Sequence, residues 1–284
     1  MSDDEMGQKP SWTHRGMQAR VALAETWDSL ADVCRGLRAD EWARPTECPG
    51  WDVKDQLSHL IGIERMIMGQ EAPAVEGPLG DHVKSDFGAM NEPWVAARRP
   101  LGGDEVLAEF DAVTAERLGQ LDGLSDEEWA RVGFSPVGQV PFARFMETRV
   151  FDSWTHEQDV RLALGRPGGM GGLASRFGLD QVESAMGFVV GKQAKAPEGS
   201  VTRFDISGAP GDARQFAVVV TEGRAAPADG SVRPDVTLTL SGINFLRLGC
   251  GRVGASELEA AGEIGVEGDA ALGQMVLSSM SFMI

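Results

Sequence analysis

No stretch of this chain approaches the roughly 18 consecutive apolar residues of a membrane span, so a membrane protein is not expected. The N-terminal MSDDEMGQKPSW lacks the apolar core of a secretory signal, and a cytoplasmic protein is the expectation. Cysteine is scarce. Cys34, Cys48 and Cys250 are odd in number and far apart, which argues against a disulfide framework or a zinc knuckle. Cys48, in the turn from Thr46 to Trp51, reads as a small structural hydrophobe in preference to a reactive thiol. Basic residues are outnumbered, 26 Lys and Arg against 43 Asp and Glu, and a net charge of −17 argues against nucleic acid or an anionic membrane as partner. An anionic substrate would need a local group of arginines to overcome that field. The chain also has no G-x-x-x-x-G-K-[ST] loop, no strand-linked G-x-G-x-x-G and no G-x-S-x-G elbow. Its glycines at 168–172 read as a linker, not a phosphate cradle.

What is present is an ordinary soluble composition, 42% hydrophobic and 24% charged, in 284 residues, enough for two domains with a core each. The organising stretch is Phe142 to Arg161. Steps of three and four select Phe142, Phe145, Arg149, Asp152, His156, Val160 and Ala163 as one helical stripe. A carboxylate and an imidazole at i and i+4 on a mostly apolar stripe are expensive to bury unless paired or bound to a metal. D-x-x-x-H is then half of a metal site.

Upstream, Gly16 to Cys34 predicts a first helix, and Val53 to about Met68 a second, capped by Asp52 and carrying His59. A long connection with a short helix near 86–97 follows. A third helix starts at an Asp104 cap and ends at Asp122-Gly123. GLRADEWAR at 36–44 returns as GLSDEEWAR at 123–131, each copy after a helix and ahead of a helix with a candidate ligand. A helix, short element, loop and helix repeated twice predicts a four-helix bundle, and such bundles build metal sites between facing helices. Pro141 suits the start of the fourth helix, which Gly165 and Pro167 end.

GRPGGMGG places a domain boundary: a bundle over 1–166, a Gly-rich linker at 167–172, and a second domain over 173–284. The second domain predicts a helix over 173–190, strands over 201–207, 214–222 and 235–241, a helix over 244–250, a strand over 263–268 and a last helix capped by Asp269. This is an α+β domain, so the fold class is two-domain, all-α plus α+β.

His59, Asp152 and His156 offer two imidazoles and a carboxylate, a set that leaves positions open on a catalytic zinc or similar ion. Spacing alone leaves a second reading standing, in which His156 is a core histidine paired with Asp152 and His59 is unrelated. Asp159 either orients His156 or is an exposed acid. Arg149 either pairs with a buried carboxylate, which is favoured, or awaits an anionic group. Glu147 and Glu157 read as solvated, and Glu64 as a surface residue in preference to a general base.

CPGWDVKDQLSHL around His59 and DSWTHEQDVR around His156 resemble the actinobacterial mycothiol-dependent maleylpyruvate isomerase family, with looser support from TLTLS, LRLGCGR and EGDAAL. The resemblance implies a DinB-like metal-binding bundle joined to a sterol-carrier-like α+β domain. It implies a divalent metal, usually zinc, on His59, Asp152 and His156, with Asp in a place where relatives carry Glu or His. It also implies a C-terminal arginine for the thiol cofactor or substrate, matched first by Arg252 and second by Arg247. The expected function is a mycothiol-dependent enzyme, a monomer or homodimer. A metal-bound thiolate adds to an electrophilic small molecule, and Arg252 and Arg149 serve as carboxylate-binding catalytic residues. The outcome would be cis–trans isomerisation or S-transfer. The alternative is a non-catalytic metal-bound module for lipids or small ligands.

Overall fold

A computed structural model describes residues 11–75, 77–229 and 232–283. Four long helices form the first half: α1 (Trp12–Cys34), α3 (Val53–Ile67), α5 (Gly103–Asp122) and α7 (Phe142–Leu164), with short helices α2 (Ala39–Trp42), α4 (Asp86–Ala96) and α6 (Asp126–Ala130) between them. They close a ring in which α1 packs on α7 and α5, and α3 packs on the same two helices from the other side. A helix starts where an orphan N–H finds an acceptor. Asp52 Oδ1 takes the N–H of Asp55 at 2.9 Å, so α3 begins at Val53 as expected. Ser11 Oγ takes the N–H of His14 at 3.2 Å, which starts α1 four residues earlier than the apolar stripe suggests. Asp104 is not the cap of α5. Glu105 reaches back to the Gly102 N–H at 2.7 Å, and Gly102 is the cap.

The two short copies of the repeated element pack reciprocally. Trp42 of α2, which follows α1, lies against Gly103 at the start of α5; Trp129 of α6, which follows α5, lies against Gly16 at the start of α1. A Cβ at either glycine would overlap the indole, so each close approach requires glycine. Each unit thus docks its tryptophan on the leading helix of the other.

A hairpin not expected from the sequence, β1 (Val132–Ser135) and β2 (Gly138–Pro141), leads into α7. Its strands are mostly exposed, so they carry no apolar alternation to read. Ser135 closes the turn by donating to the Gly138 carbonyl at 2.8 Å and accepting the Val137 N–H at 3.2 Å.

The Gly-rich segment after α7 is tied down from both sides. Trp154 Nε1 donates to the Gly169 carbonyl at 2.7 Å, and the Gly171 N–H donates to Asp212 at 2.7 Å. Next, α8 (Leu173–Phe188) packs on α7 and α1, continues as a π-helical turn at Val189–Gln193, and also touches the second half of the chain. That half is a five-stranded sheet of β3 (Val201–Ser207), β4 (Arg214–Thr221), β5 (Arg224–Pro227), β6 (Val236–Ser241) and β7 (Ile264–Gly268), in the order β5-β4-β3-β6-β7. Only the central β3–β6 pair is parallel. Helices α9 (Gly242–Gly249), α10 (Ala255–Ala260) and α11 (Ala270–Leu277) complete it. Strand β6 buries Val236, Leu238 and Leu240 and turns Thr237 and Thr239 outward, the period of a sheet covered on one face. Phe204 and Phe216, opposite each other on β3 and β4, stack at 4.9 Å and meet Phe245 of α9. Burying each such ring is worth about 2 kcal/mol. The all-α plus α+β class holds. Two short elements, β5 and α10, are additional to the expected set, since neither is long enough to show a period. Among the described residues no helix is long and apolar enough to cross a membrane.

Candidate functional site

The site lies between α3 and α7. One nitrogen from each of His59 and His156 and one oxygen of Asp152 lie within 4.8 Å of one another. His59 Nε2 is 3.4 Å from Asp152 Oδ2, and His156 Nε2 is 3.7 Å from Asp152 Oδ1. Ligand bonds of about 2.1 Å in a tetrahedron would set its edges at about 3.4 Å, so these separations fit a shared cation. The imidazole centroids are 4.5 Å apart. Both histidines are buried, and Asp152 is the open member at 24% exposure.

Hydrogen bonding around the imidazoles is asymmetric. Neither ring nitrogen of His59 makes a hydrogen bond among the described residues, although the ring is buried. An orphaned buried imidazole is unfavourable by itself and is what a metal ligand looks like without its metal. Burial pushes the His59 imidazole down to about 4 against the pull of Asp152, so it is neutral, the ligating form.

His156 is oriented. Its Nδ1 meets Gln56 Oε1 at 2.5 Å and Asp159 Oδ2 at 3.3 Å. Gln56 has no freedom to flip, because its amide donates to Thr46 Oγ1 at 2.7 Å and Thr46 in turn donates to the Trp51 carbonyl at 2.9 Å. Two acceptors at Nδ1 hold a proton there, so Nε2, which faces Asp152, is the nitrogen that can give up its proton to bind an ion. Burial would discourage the His156 cation, but hydrogen bonds to Asp152 and Asp159 raise its pKa. Burial also opposes the Asp152 carboxylate, yet Arg149 and His59 hold its pKa well below the ordinary range.

The wall of the site is Trp51, whose ring is 5.0 Å from His59 and 5.9 Å from His156. Its Nε1 donates to Glu92 Oε2 at 3.2 Å. The same buried carboxylate takes Arg99 at 2.6 Å and His82, from the long connection, at 2.9 Å.

The arginines singled out from sequence are all engaged. Arg149 Nε donates to Glu64 Oε1 at 2.9 Å and Nη1 to Asp152 Oδ2 at 2.5 Å, the pairing that the stripe favoured. Arg252, just past α9, grips Asp159 with Nε at 3.0 Å and Nη2 at 2.9 Å, so the sheet half reaches His156 through one carboxylate. Arg247 pairs with Glu47 at 2.8 Å and lines a groove of about 710 Å³ with Leu162, Asn244 and Glu263.

Three acids differ from expectation. Glu64, expected at the surface, is 1% exposed and joins Arg149 and Arg117; Glu147 and Glu157, expected in solvent, are buried against Arg15 and Arg161. In each case a guanidinium from the same or a distant helix offsets the desolvation. Gln56, Trp51 and Glu92 were not singled out. Gln56 is three residues before His59 on the same face, the one signal that could have drawn attention to it.

Comparison with known proteins agrees with the fold. Residues 23–161 match the family model described as the mycothiol maleylpyruvate isomerase N-terminal domain, and residues 189–280 match the SCP-2 sterol transfer family. Two uncharacterized proteins of Mycobacterium tuberculosis are similar. One is 26% identical over 151 residues, covering 53% of this chain and 69% of its own length. The other is 29% identical over 150 residues, covering 49% and 53%. A crystal structure of mycothiol-dependent maleylpyruvate isomerase is similar in fold, with a TM-score of 0.54 at 17% identity over 91% of this chain and 93% of that one. The helical bundle thus matches the mycothiol maleylpyruvate isomerase N-terminal domain, and the sheet half that follows it matches the SCP-2 sterol transfer family.

Proposed function

We propose that this protein is a metal- and mycothiol-dependent enzyme acting on an electrophilic small molecule. The observation that carries the reading is the buried imidazole of His59, which makes no hydrogen bond among the described residues and faces Asp152 and His156. Two nitrogens and one oxygen suit a borderline divalent ion such as zinc and leave room in its coordination shell. Such an ion, with mycothiol as the second cofactor, would supply a thiolate at neutral pH for addition to an electrophilic carbon, ending in cis–trans isomerisation or S-transfer.

The chain's own residues have distinct parts. His59, Asp152 and His156 hold the ion, and Gln56 with Asp159 keeps His156 in the ligating tautomer. Trp51 shields one side of the imidazoles from water. Arg252 and Arg247 are the cofactor-binding residues in this reading; each would exchange its present carboxylate, Asp159 or Glu47, for one on a ligand. Arg149 serves catalysis through Asp152. We place the division of labour at the Gly-rich segment, bundle over 1–166 and sheet domain over 173–284, a division supported by the two family matches falling on either side of it.

The test is metal content by elemental mass spectrometry on untagged protein, wild type beside His156→Ala. We expect about one zinc per chain in the wild type and a loss in the variant. No stoichiometric metal after incubation with zinc would overturn the reading. With metal established, thiol-dependent isomerisation and transfer are assayed side by side. A non-catalytic module for lipids or small ligands is favoured by the SCP-2 match alone. In that case His59→Ala would change no activity, and chelation would lower the melting temperature.

A further inference from the structure

A row of four charges on three helices ends at Asp152, and its other three members are buried. Arg117 of α5 donates from Nε to Glu64 Oε2 at 3.1 Å; Glu64 of α3 accepts Arg149 Nε on Oε1 at 2.9 Å; Arg149 of α7 donates from Nη1 to Asp152 Oδ2 at 2.5 Å. Arg117, Glu64 and Arg149 are each at most 4% exposed, so no solvent is available to replace a missing partner. The charges along the row sum to zero.

A guanidinium is a planar fork whose strongest grip on a carboxylate uses two parallel donors. Arg149 does not grip Asp152 in that way. Its Nε and Nη2 edge is turned to Glu64, with Nη2 at 2.8 Å from the same oxygen, and only Nη1 is left for Asp152. Asp152 therefore shares Oδ2 between Arg149 and the side of His59 Nε2, and keeps Oδ1 free of the guanidinium on the side of His156 Nε2.

We propose that Glu64 is a positioning residue for the metal centre: it restrains Arg149 to a one-point contact and so keeps Asp152 available as a ligand. Without Glu64 the buried guanidinium has one carboxylate in reach, closes on both of its oxygens and withdraws it from the imidazoles. The inference rests on the metal-centre reading above, and the experiment separates the two.

Zinc affinity is measured by competition with a chromophoric chelator on the full chain, with circular dichroism and the metal-free melting temperature as controls. Variants are Glu64→Gln, Arg149→Lys and the double variant Glu64→Gln/Arg149→Met, with His59→Ala as the reference. Glu64→Gln weakens zinc by about 10–100-fold, the range for residues that orient a ligand. Arg149→Lys, a point charge with no fork to close on Asp152, keeps zinc affinity within about threefold of the wild type, and a loss as large as that of Glu64→Gln overturns the proposal. The double variant, with no guanidinium left to close on Asp152, recovers most of the loss. A merely structural Glu64 would instead make the double variant at least as weak as the single ones. Wild-type affinity in Glu64→Gln, or no recovery in the double variant, overturns the proposal. If Glu64→Gln does not fold, Glu64→Asp decides, because it keeps the charge but draws the restraint back by one methylene, and wild-type affinity there overturns the proposal. No zinc binding by the wild type overturns the metal centre and this inference with it.

Discussion

Gly16→Ala and Gly119→Ala are the same chemical change in two long helices of one bundle, and the structure gives them opposite signs. Both glycines lie within helices, α1 and α5, where alanine is favoured over glycine by about 1 kcal/mol. Nothing lies within 4 Å of a Cβ added at Gly119, so that variant should keep the gain and be stabilised by about 0.5–1 kcal/mol. At Gly16 the new Cβ overlaps three atoms of the Trp129 ring, and Trp129 is 0% exposed, so the ring has nowhere to go. Overpacking of this kind costs about 1–3 kcal/mol, which outweighs the helix gain and leaves a net loss of about 1–2 kcal/mol. The assay is urea unfolding followed by tryptophan fluorescence, reading the transition of the bundle. A Gly16→Ala variant as stable as Gly119→Ala would refute the close approach of Trp129 to α1.

Two further outcomes follow from burial. Burial, with Asp52 nearby and Arg99 opposing, raises the Asp55 carboxyl from 3.8 to about 6, so the folded chain binds more protons than the unfolded one between these values. Stability from this group is present below pH 4 and is lost as pH rises to about 6. We expect about 1 kcal/mol over that window, discounted because Arg99 at the rim is open to solvent, and Asp55→Asn should flatten the slope; identical pH profiles for both proteins would contradict the assignment. Burial also pushes the Cys34, Cys48 and Cys250 thiols up to about 12, so native protein at pH 8 should resist iodoacetamide and unfolded protein should take up label at all three. Fast labelling of native Cys48 would contradict this.

Periodicity made the long elements legible: α3, α7, β3, β4 and β6 begin and end within about two residues of where apolar spacing and caps place them. His59, Asp152 and His156 could be picked out because each sits on an inward-facing position of a helix, and an inward titratable group is conspicuous. Their supports were not legible. Glu64, Asp159 and Gln56 are polar residues on helices, and each is buried only because a partner arrives from 53 to 100 residues away. Local spacing holds no record of such a partner, so an unpaired acid reads as solvated. The hairpin before α7 escaped for a simpler cause: its strands face water on both sides and need no alternation.

The reciprocal seating of Trp42 and Trp129 gives the bundle the form of a dimer written into one polypeptide. Each half covers the leading helix of its twin, the exchange of like surfaces that two copies of one chain make in a dimer, and α3 and α7 meet between them. A symmetric pair would present two equal imidazoles and nothing else. Joining the halves releases them from that equality: one keeps a lone His59, while the other acquires a longer last helix, 23 residues against 15, with Asp152, His156 and Asp159 along it. The cleft between α3 and α7 is therefore lopsided: His59 lies buried behind Trp51 on one side, and Asp152 on the other is the member open to an incoming molecule.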